Sequence, residues 1–486
     1  MAKYETATDF SPCTDWIIAI GGAGRPDFSG LVADSLPEPM EQDFRATAGT
    51  VFILRQDDRR YFFLGMGEDL SFGAVQSLFR SFVYLHRDRL QEKTGLLLAG
   101  GNQDILPSLC AAAVQGIESG IRPIGIWKTE NKAGHTWDRE ESHLWFLVPA
   151  AQKVPIEEVL RRSYHISMAR STACRWINTP ANFLNPPTFA DEIVQAGRLA
   201  GFEVTLHEGE SLAAKGFHAL AAVGRGSRTP PVLAELHYRG IGKVNKHIGL
   251  VGKGITFDTG GISLKSSTNM HFMKSDMSGA AVVAGVFLAV AGLGLPIKLT
   301  GLLPLAENAI GPDALRPGDI ISSYSGKTIE VIDTDAEGRL ILADALSYLI
   351  HEHAPDHVVD LATLTGSIVA TLGNHAAGLF ANDDKLAKQL LESGEQSGEF
   401  LWRMPLPGTV ADELKSDVAD LKNFSGLPTA GALSAAKFLE TFVKPHPSWA
   451  HFDIAGVSFD KTELTSMKAA TGFGIRLLTE WIDSLS

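Results

Sequence analysis

The sequence predicts an α/β protein of two domains, a smaller one over residues 1–150 and a larger one over 181–486, joined by a helix in 151–180. Three observations predict it. Short apolar runs of strand length alternate with helical text along the chain, the pattern of layered sheets. At 486 residues and 45% hydrophobic content, the length alone suggests two or three domains. Between the two parts, "PIEEVLRRSYHISMARSTACRWINT" reads as one helix until "TPANFLNPP" stops it. Its leading proline and early acids suit a helix N-terminus.

In the first part, "DWIIAIGG", "TVFILR" and "YFFLGMG" are expected strands. "AVQSLFRSFVYLHRDRLQ" and "LPSLCAAAVQGIESGI" are expected helices, and nothing in this part suggests site chemistry. In the second, "HIGLVGKGI", "IKLTGLLPLA", "HVVDLATL" and "WAHFDIAG" are strands between helices. The segment 277–297, "MSGAAVVAGVFLAVAGLGLPI", carries no charge and is long enough to span a bilayer. Gly292, Gly294 and Pro296 break it and no aromatic or basic belt flanks it, so a buried helix near 279–291 is expected and no membrane association. There is no internal repeat and no low-complexity tract.

Lys and Arg number 43 against 56 Asp and Glu, a formal net charge of -13, which argues against a general nucleic-acid or anionic-membrane binder. Cys13, Cys110 and Cys174 are far apart and fit neither a disulfide framework nor a zinc finger. They point to a reducing compartment, the cytoplasm. The opening "MAKYETATDFSPCTDW" has no basic segment followed by an apolar run, so no secretory signal is expected.

The chemistry concentrates in three patches. "DTDAEGRL" sets Asp333, Asp335, Glu337 and Arg339 at alternate positions between apolar flanks. Crowded carboxylates in apolar surroundings are costly unless a cation compensates them. If the segment is extended, all four side chains share a face. "VGKGITFDTGGISLK" embeds Lys253, Asp258 and Lys265 among glycines, and "MKSDMSGAA" puts Asp276 at the start of the apolar helix, where a capping role is the bland alternative. Oxygen ligands on strand ends with few histidines nearby suit Mn²⁺, Mg²⁺ or Zn²⁺. Beside two such ions Lys253 could be neutral and ligate through nitrogen, while Lys265 stays charged for a substrate oxygen.

Other motifs fall away. Asp333, Asp335, Glu337, Gly338 and Asp344 partly match a calcium loop, but "KTIEVI" is a strand where a helix should enter. "SGKT" needs glycine at 321 and has Ile321; "GRGS" and "IGGAG" are lone glycine clusters. "HEHAPDH" lacks H-E-x-x-H spacing and reads as a solvated helix end, and no G-x-S-x-G occurs.

Together the three patches resemble the leucine aminopeptidase family of cytosolic two-metal peptidases. "TPANFLNPPTFA", "VGRGSRTPPVLAELHYRG", "DLATLTG", "WRMPL", "TAGALSAAKFL" and "WAHFDIAG" extend the likeness over roughly 175–475. The resemblance implies a smaller N-terminal α/β domain plus a catalytic α/β domain with a central mixed sheet flanked by helices. It implies two divalent ions, Mn²⁺ or Zn²⁺, on Lys253, Asp258, Asp276, Asp335 and Glu337, with Asp258 and Glu337 bridging. It implies Lys265 and Arg339 as the catalytic pair, a bicarbonate at Arg339, and substrate contacts from Met273, Thr363, Leu364 and Gly366. Peptide substrates cut after a free, leucine-like N-terminal residue, and a homohexamer, follow from the same likeness. Three positions depart from it: Asp333 stands where asparagine is usual, Ser278 where glycine is usual, and His271 where an acid is common. The extra carboxylate of Asp333 would tighten metal binding, draw a substrate ammonium, or, if protonated, mimic the amide. Two other classes compete: another two-metal hydrolase such as a phosphatase, against which the lack of histidine-rich ligand sets speaks, and a metal-stabilised scaffold or regulator, against which the complete ligand set speaks.

Overall fold

The computed structural model describes residues 3–9, 13–22, 44, 46–56, 58–100, 103–122, 127–129, 135–139, 141–461, 464 and 467–486. The "IGGAG" turn and the opening segment lie partly outside them. Contacts divide the chain into two compact units, 1–171 and 172–486.

The first unit holds a six-stranded sheet of β1 (Lys3–Ala7), β2 (Asp15–Gly21), β3 (Val51–Gln56), β4 (Arg59–Gly67), β5 (Lys93–Ala99) and β6 (His143–Leu147), in the order β1-β6-β5-β2-β4-β3. All neighbours are parallel except β3 and β4. Alternate residues of each strand point to opposite faces, and both faces are covered. Ile17, Phe62 and Leu96 pack with Phe79, Phe82 and Leu109 of α1 (Phe72–His86) and α2 (Leu106–Gly120), while Trp16, Ile18 and Phe63 pack on the other side. The strands and helices expected here all form; α1 stops at His86, short of the charged text that follows. The long helix α3 runs Lys153–Asn178.

The second unit begins with α4 (Pro186–Ala200), entered through a capping box in which Asn185 and Thr188 exchange hydrogen bonds. Its strands include β7 (Glu203–Glu208), β8 (Val232–Arg239), β9 (His247–Gly252), β10 (Gly254–Asp258), β11 (Lys298–Asn308), β12 (Ile320–Ser322), β13 (Thr328–Glu330), β14 (His357–Ala362), β15 (Ala377–Ala381), β16 (Leu401–Arg403), β17 (Leu421–Lys422) and β18 (Trp449–Asp453). The main sheet is mixed and nine-stranded, in the order β16-β15-β18-β14-β9-β11-β8-β7, with β10 also on β11. A separate small sheet has the order β12-β13-β17. The centre, β18-β14-β9-β11, is parallel. Its strands read as near-continuous apolar runs because both faces are buried.

The uncharged segment forms α5 (Ser278–Leu293), whose residues are nearly all buried. With the turn before it, this is the one described helix long and apolar enough to cross a membrane, and 83% of its most apolar window is buried inside the protein. It is a core helix. α6 (Gly338–Tyr348) continues into a π-helical turn, Leu349–His353. β9 and β14 end side by side, with Gly252 opposite Leu361, and open sheets place ligands at such carboxyl ends.

Candidate metal centre

Lys253 occupies the break between β9 and β10, where its N–H donates to Leu361 O at 2.9 Å. Asp258 ends β10 opposite Asn308. Its Oδ1 accepts from the Gly260 N–H at 2.9 Å and from Asn308 Nδ2 at 2.8 Å. Gly260 and Gly261 then turn the chain at φ +87° and +66°, which a side chain would resist. The turn brings Lys265 back, its N–H donating to Thr259 O. Asp276 follows the 3₁₀ turn Met270–Ser275 and makes no cap on α5. Its Oδ1 accepts instead from the Thr363 hydroxyl at 2.7 Å.

The segment 333–337 is not extended. Asp335 N–H donates to Asp333 Oδ1 at 2.9 Å, closing an Asx turn that feeds α6 at Gly338. Asp333 is therefore the acceptor of the turn, and Asp335 and Glu337 reach the other carboxylates through the turn rather than along a strand face. Asparagine, the residue usual at 333 in the resembled family, offers the same acceptor oxygen. Gly338 is needed for packing: a Cβ there would lie 2.5 Å from Lys253 Cε. Asp344 lies inside α6, and its carboxylate accepts the Leu220 and Tyr324 N–H groups at 3.0 and 2.8 Å. The twelfth position of the imagined calcium loop thus holds backbone, and that reading is excluded.

One oxygen from each of Asp258, Asp335 and Glu337 lies within 4.8 Å of the others. The two lysines sit among them. Lys253 Nζ is 2.7 Å from Asp276 Oδ2 and 2.9 Å from Glu337 Oε1; Lys265 Nζ is 2.8 Å from Asp258 Oδ2 and 2.5 Å from Asp335 Oδ1. Burial raises the Asp276, Asp335 and Glu337 pKa values, and the Asp258 charge adds to it in each case, with Glu337 adding further at Asp276 and Asp335, against the pull of the lysines. Burial disfavours the two ammonium groups, but the surrounding carboxylates outweigh it and hold both pKa values above the ordinary lysine range. Amid these carboxylates the charged form of Lys253 is favoured. The neutral, ligating form expected from sequence needs further positive charge in the same space. Burial lowers the Arg339 pKa to about 10, with Glu337 and Asp333 opposing the fall. The guanidinium stays charged at neutral pH. Its Nη1 donates to Asn423 O at 2.8 Å, while its buried Nε has no hydrogen-bond partner among the described residues.

The residues present fit divalent ions. Glu337 Oε2 is buried with no hydrogen-bond partner among the described residues, and a buried orphan of this kind is costly. Four carboxylates are a hard, oxygen-rich donor set, to which Lys253 would add a nitrogen only once the charge of bound ions displaced its proton. Among the expected substrate contacts, Met273 and Leu364 are half-buried and Gly366 is exposed at the head of helix Gly366–Leu372. Thr363 serves Asp276 through its hydroxyl and Lys253 through its carbonyl, at 3.0 Å.

Four supporting residues were not read from the sequence. Asn308 ties Asp258 to Thr334 O at 3.0 Å. Thr334 Oγ donates to Gly260 O and accepts from Ser263 N–H, stapling the two carboxylate-bearing loops together. Asn423 accepts from Ile332 N–H at 2.8 Å and donates to Asp333 O at 2.6 Å. Asp453, at the end of β18, accepts from Leu364 N–H and the Thr365 hydroxyl. A lone buried polar residue closing an apolar strand was the available signal for Asn308 and Asp453. "HEHAPDH" divides: His351 is solvated, as expected, but His353 is only partly exposed. His353 packs on Glu235, which a distant strand supplies.

A family model described as cytosol aminopeptidase family, catalytic domain, matches residues 171–479. The chain is 39% identical over 483 residues to a probable cytosol aminopeptidase of Chlorobium limicola, covering 96% of this chain and 95% of that protein. It is 41% identical over 461 residues to one of Chlorobaculum tepidum, covering 91% of each. Among solved structures, the bottromycin maturation enzyme BotP in complex with Mn matches at TM-score 0.84 and 31% identity, over 97% of this chain and 99% of that one.

Proposed function

The chain belongs to the cytosol aminopeptidase family and is a metal-dependent aminopeptidase, and from that premise we propose that it removes leucine-like N-terminal residues from peptides at a two-metal site built from Lys253, Asp258, Asp276, Asp335 and Glu337. The observation that carries the reading is the convergence of the Asp258, Asp335 and Glu337 oxygens within 4.8 Å around two lysines. Mn²⁺ is favoured by the Mn-bound neighbour, and Zn²⁺ accepts the same ligands. When bound, such ions acidify a water and polarise a carbonyl.

The chain's own groups do the rest. Lys265, with 24% of its side chain exposed, can reach a substrate oxygen and donate to the oxyanion that develops there. Arg339, charged and with Nε unclaimed, suits an anion such as bicarbonate, which would carry the proton. Met273, Thr363, Leu364 and Gly366 would line the N-terminal residue, with Asp333 at the margin fixing the turn. The relatives' cytosol naming supports a cytoplasmic location, and a homohexamer is part of the same proposal. An apolar pocket separates similar side chains by only ~1–3 kcal/mol, so the preference is graded.

The test is release of nitroaniline from leucyl-p-nitroanilide by chelator-stripped protein titrated with Mn²⁺ or Zn²⁺. Metal-restored hydrolysis is expected. No hydrolysis with either metal, on this or other aminoacyl substrates, overturns the proposal.

A further inference from the structure

A second group of metal-ligating side chains lies elsewhere in the larger unit. Glu235 and His237 are two residues apart on β8 and so point to one face. His353 closes the π-helical turn after α6. His237 Nε2 and His353 Nε2 each lie 2.9 Å from the same atom, Glu235 Oε1. One ligand atom from each residue falls within 4.8 Å of the other two.

The other carboxylate oxygen is already engaged. Oε2 lies 2.7 Å from His207 Nε2 and accepts from the Tyr348 hydroxyl at 3.1 Å. Lys215 Nζ approaches His207 Nδ1 at 2.8 Å. An ammonium can only donate, so His207 Nδ1 accepts and Nε2 carries the proton toward Glu235. His207, Tyr348 and Lys215 therefore fix the carboxylate and leave Oε1 to the two imidazoles. This is the outer support that metal-binding carboxylates characteristically have. Glu235 is buried at 5% exposure, whereas the His237 and His353 side chains are 34% and 18% exposed, so the cluster opens to solvent on its histidine side. The backbone is also unusual: a π turn presents His353, and Ala354 after it takes φ +41°. Such turns and conformations concentrate at functional sites.

We propose that Glu235, His237 and His353 form a separate site for a zinc-class divalent ion, bound by two imidazole nitrogens and one carboxylate oxygen, with a further position open to water or another ligand. Two nitrogens and one oxygen select Zn²⁺-like ions over Mg²⁺ and Ca²⁺, which prefer oxygen alone. Ligands of a tetrahedral zinc stand roughly 3.3 Å apart, so the present 2.9 Å spacings need only a small opening. His353 lies sixteen residues beyond Glu337 on one continuous helical run, ~24 Å along its axis, so no ion is shared between the two centres.

The experiment uses the full chain, stripped with chelator, equilibrated with buffered Zn²⁺ and counted by plasma mass spectrometry. His237→Gln/His353→Gln should hold one zinc fewer per chain than the parent, with Mn²⁺-restored peptidase activity unchanged. The deficit should persist in a Glu337→Ala background, which separates this site from the proposed catalytic one even if the catalytic reading fails. Crystals of the parent soaked in Zn²⁺ should show an anomalous peak about 2.0–2.1 Å from both Nε2 atoms. Equal zinc counts in parent and variant overturn the proposal. Where the variant does not fold, the absence of that anomalous peak in the parent overturns it instead.

Discussion

Replacing Asn423 should damage a centre whose ligands it never touches. Its side chain is completely buried and holds both edges of the turn that carries Asp335 and Glu337. Asn423→Ala leaves the Ile332 N–H and the Asp333 carbonyl, now bonded at 2.8 and 2.6 Å, without partners. Both groups are only partly buried and Ile332 is exposed, so water can reach them, and the loss should sit near the low end of the ~1–3 kcal/mol that each fully buried unmet group costs, about 2 kcal/mol in all. Asn423→Asp should lose more, because it opposes oxygen to oxygen at Asp333 O and buries a charge. The Asn423 carbonyl that receives Arg339 is backbone and survives both changes. The assay is urea unfolding followed by metal content and kcat on leucyl-p-nitroanilide. A ligand displaced by about 1 Å costs on the order of 100-fold in rate. If Asn423→Asp unfolds at the parent's midpoint with full metal content and activity, the turn is not held from Asn423 and the reasoning is wrong.

The remaining predictions are simpler. Glu337→Ala should lose bound metal and hydrolysis together, and turnover by a demonstrably metal-free variant would remove Glu337 from the centre. Lys265→Ala should keep its metal while kcat falls by roughly 10²–10³, the usual cost of losing an oxyanion donor; an unchanged kcat would exclude it. Stability should also depend on pH through His451, which is buried with Nδ1 2.6 Å from Asp360 Oδ1. Burial lowers its pKa, but the Asp360 charge and hydrogen bond win and hold it above the ordinary histidine value. Its stabilisation is therefore fully present below the unfolded value of about 6.5 and is lost as pH rises through the folded pKa. Unfolding midpoints measured across that range should fall in the parent and flatten in His451→Gln; parallel profiles would refute the assignment.

How much of this was legible in the sequence depended on locality. The proposed ligands stand in three short charged patches inside apolar text, and "DTDAEGRL" announced itself because nothing else justified its carboxylates. The strands β9, β11, β14 and β18 were readable because burial on both faces makes them unbroken apolar runs. Strand β1, "KYETA", was not, since its pairing with β6 rather than its composition makes it a strand. The extended reading of 333–339 failed because one hydrogen bond, Asp335 N–H to Asp333 Oδ1, decides for a turn. Asn308, Asn423 and Asp453 are single residues far along the chain from the loops they hold, and His353 looked solvated because Glu235 arrives from over a hundred residues away.

The stapled loops also bear on when the centre comes into being. Lys253, Asp258, Asp276, Asp335 and Glu337 come from separate stretches of chain that only the finished sheet assembles. An unfolded chain offers no comparable donor set, so ion affinity at the proposed centre belongs to the native state alone. Occupancy then becomes a reservoir of stability: at a free ion concentration 100 times Kd, each bound ion adds about 2.7 kcal/mol. A cell short of metal would lose part of this protein's resistance to unfolding along with its activity, and proteolysis would follow the metal supply.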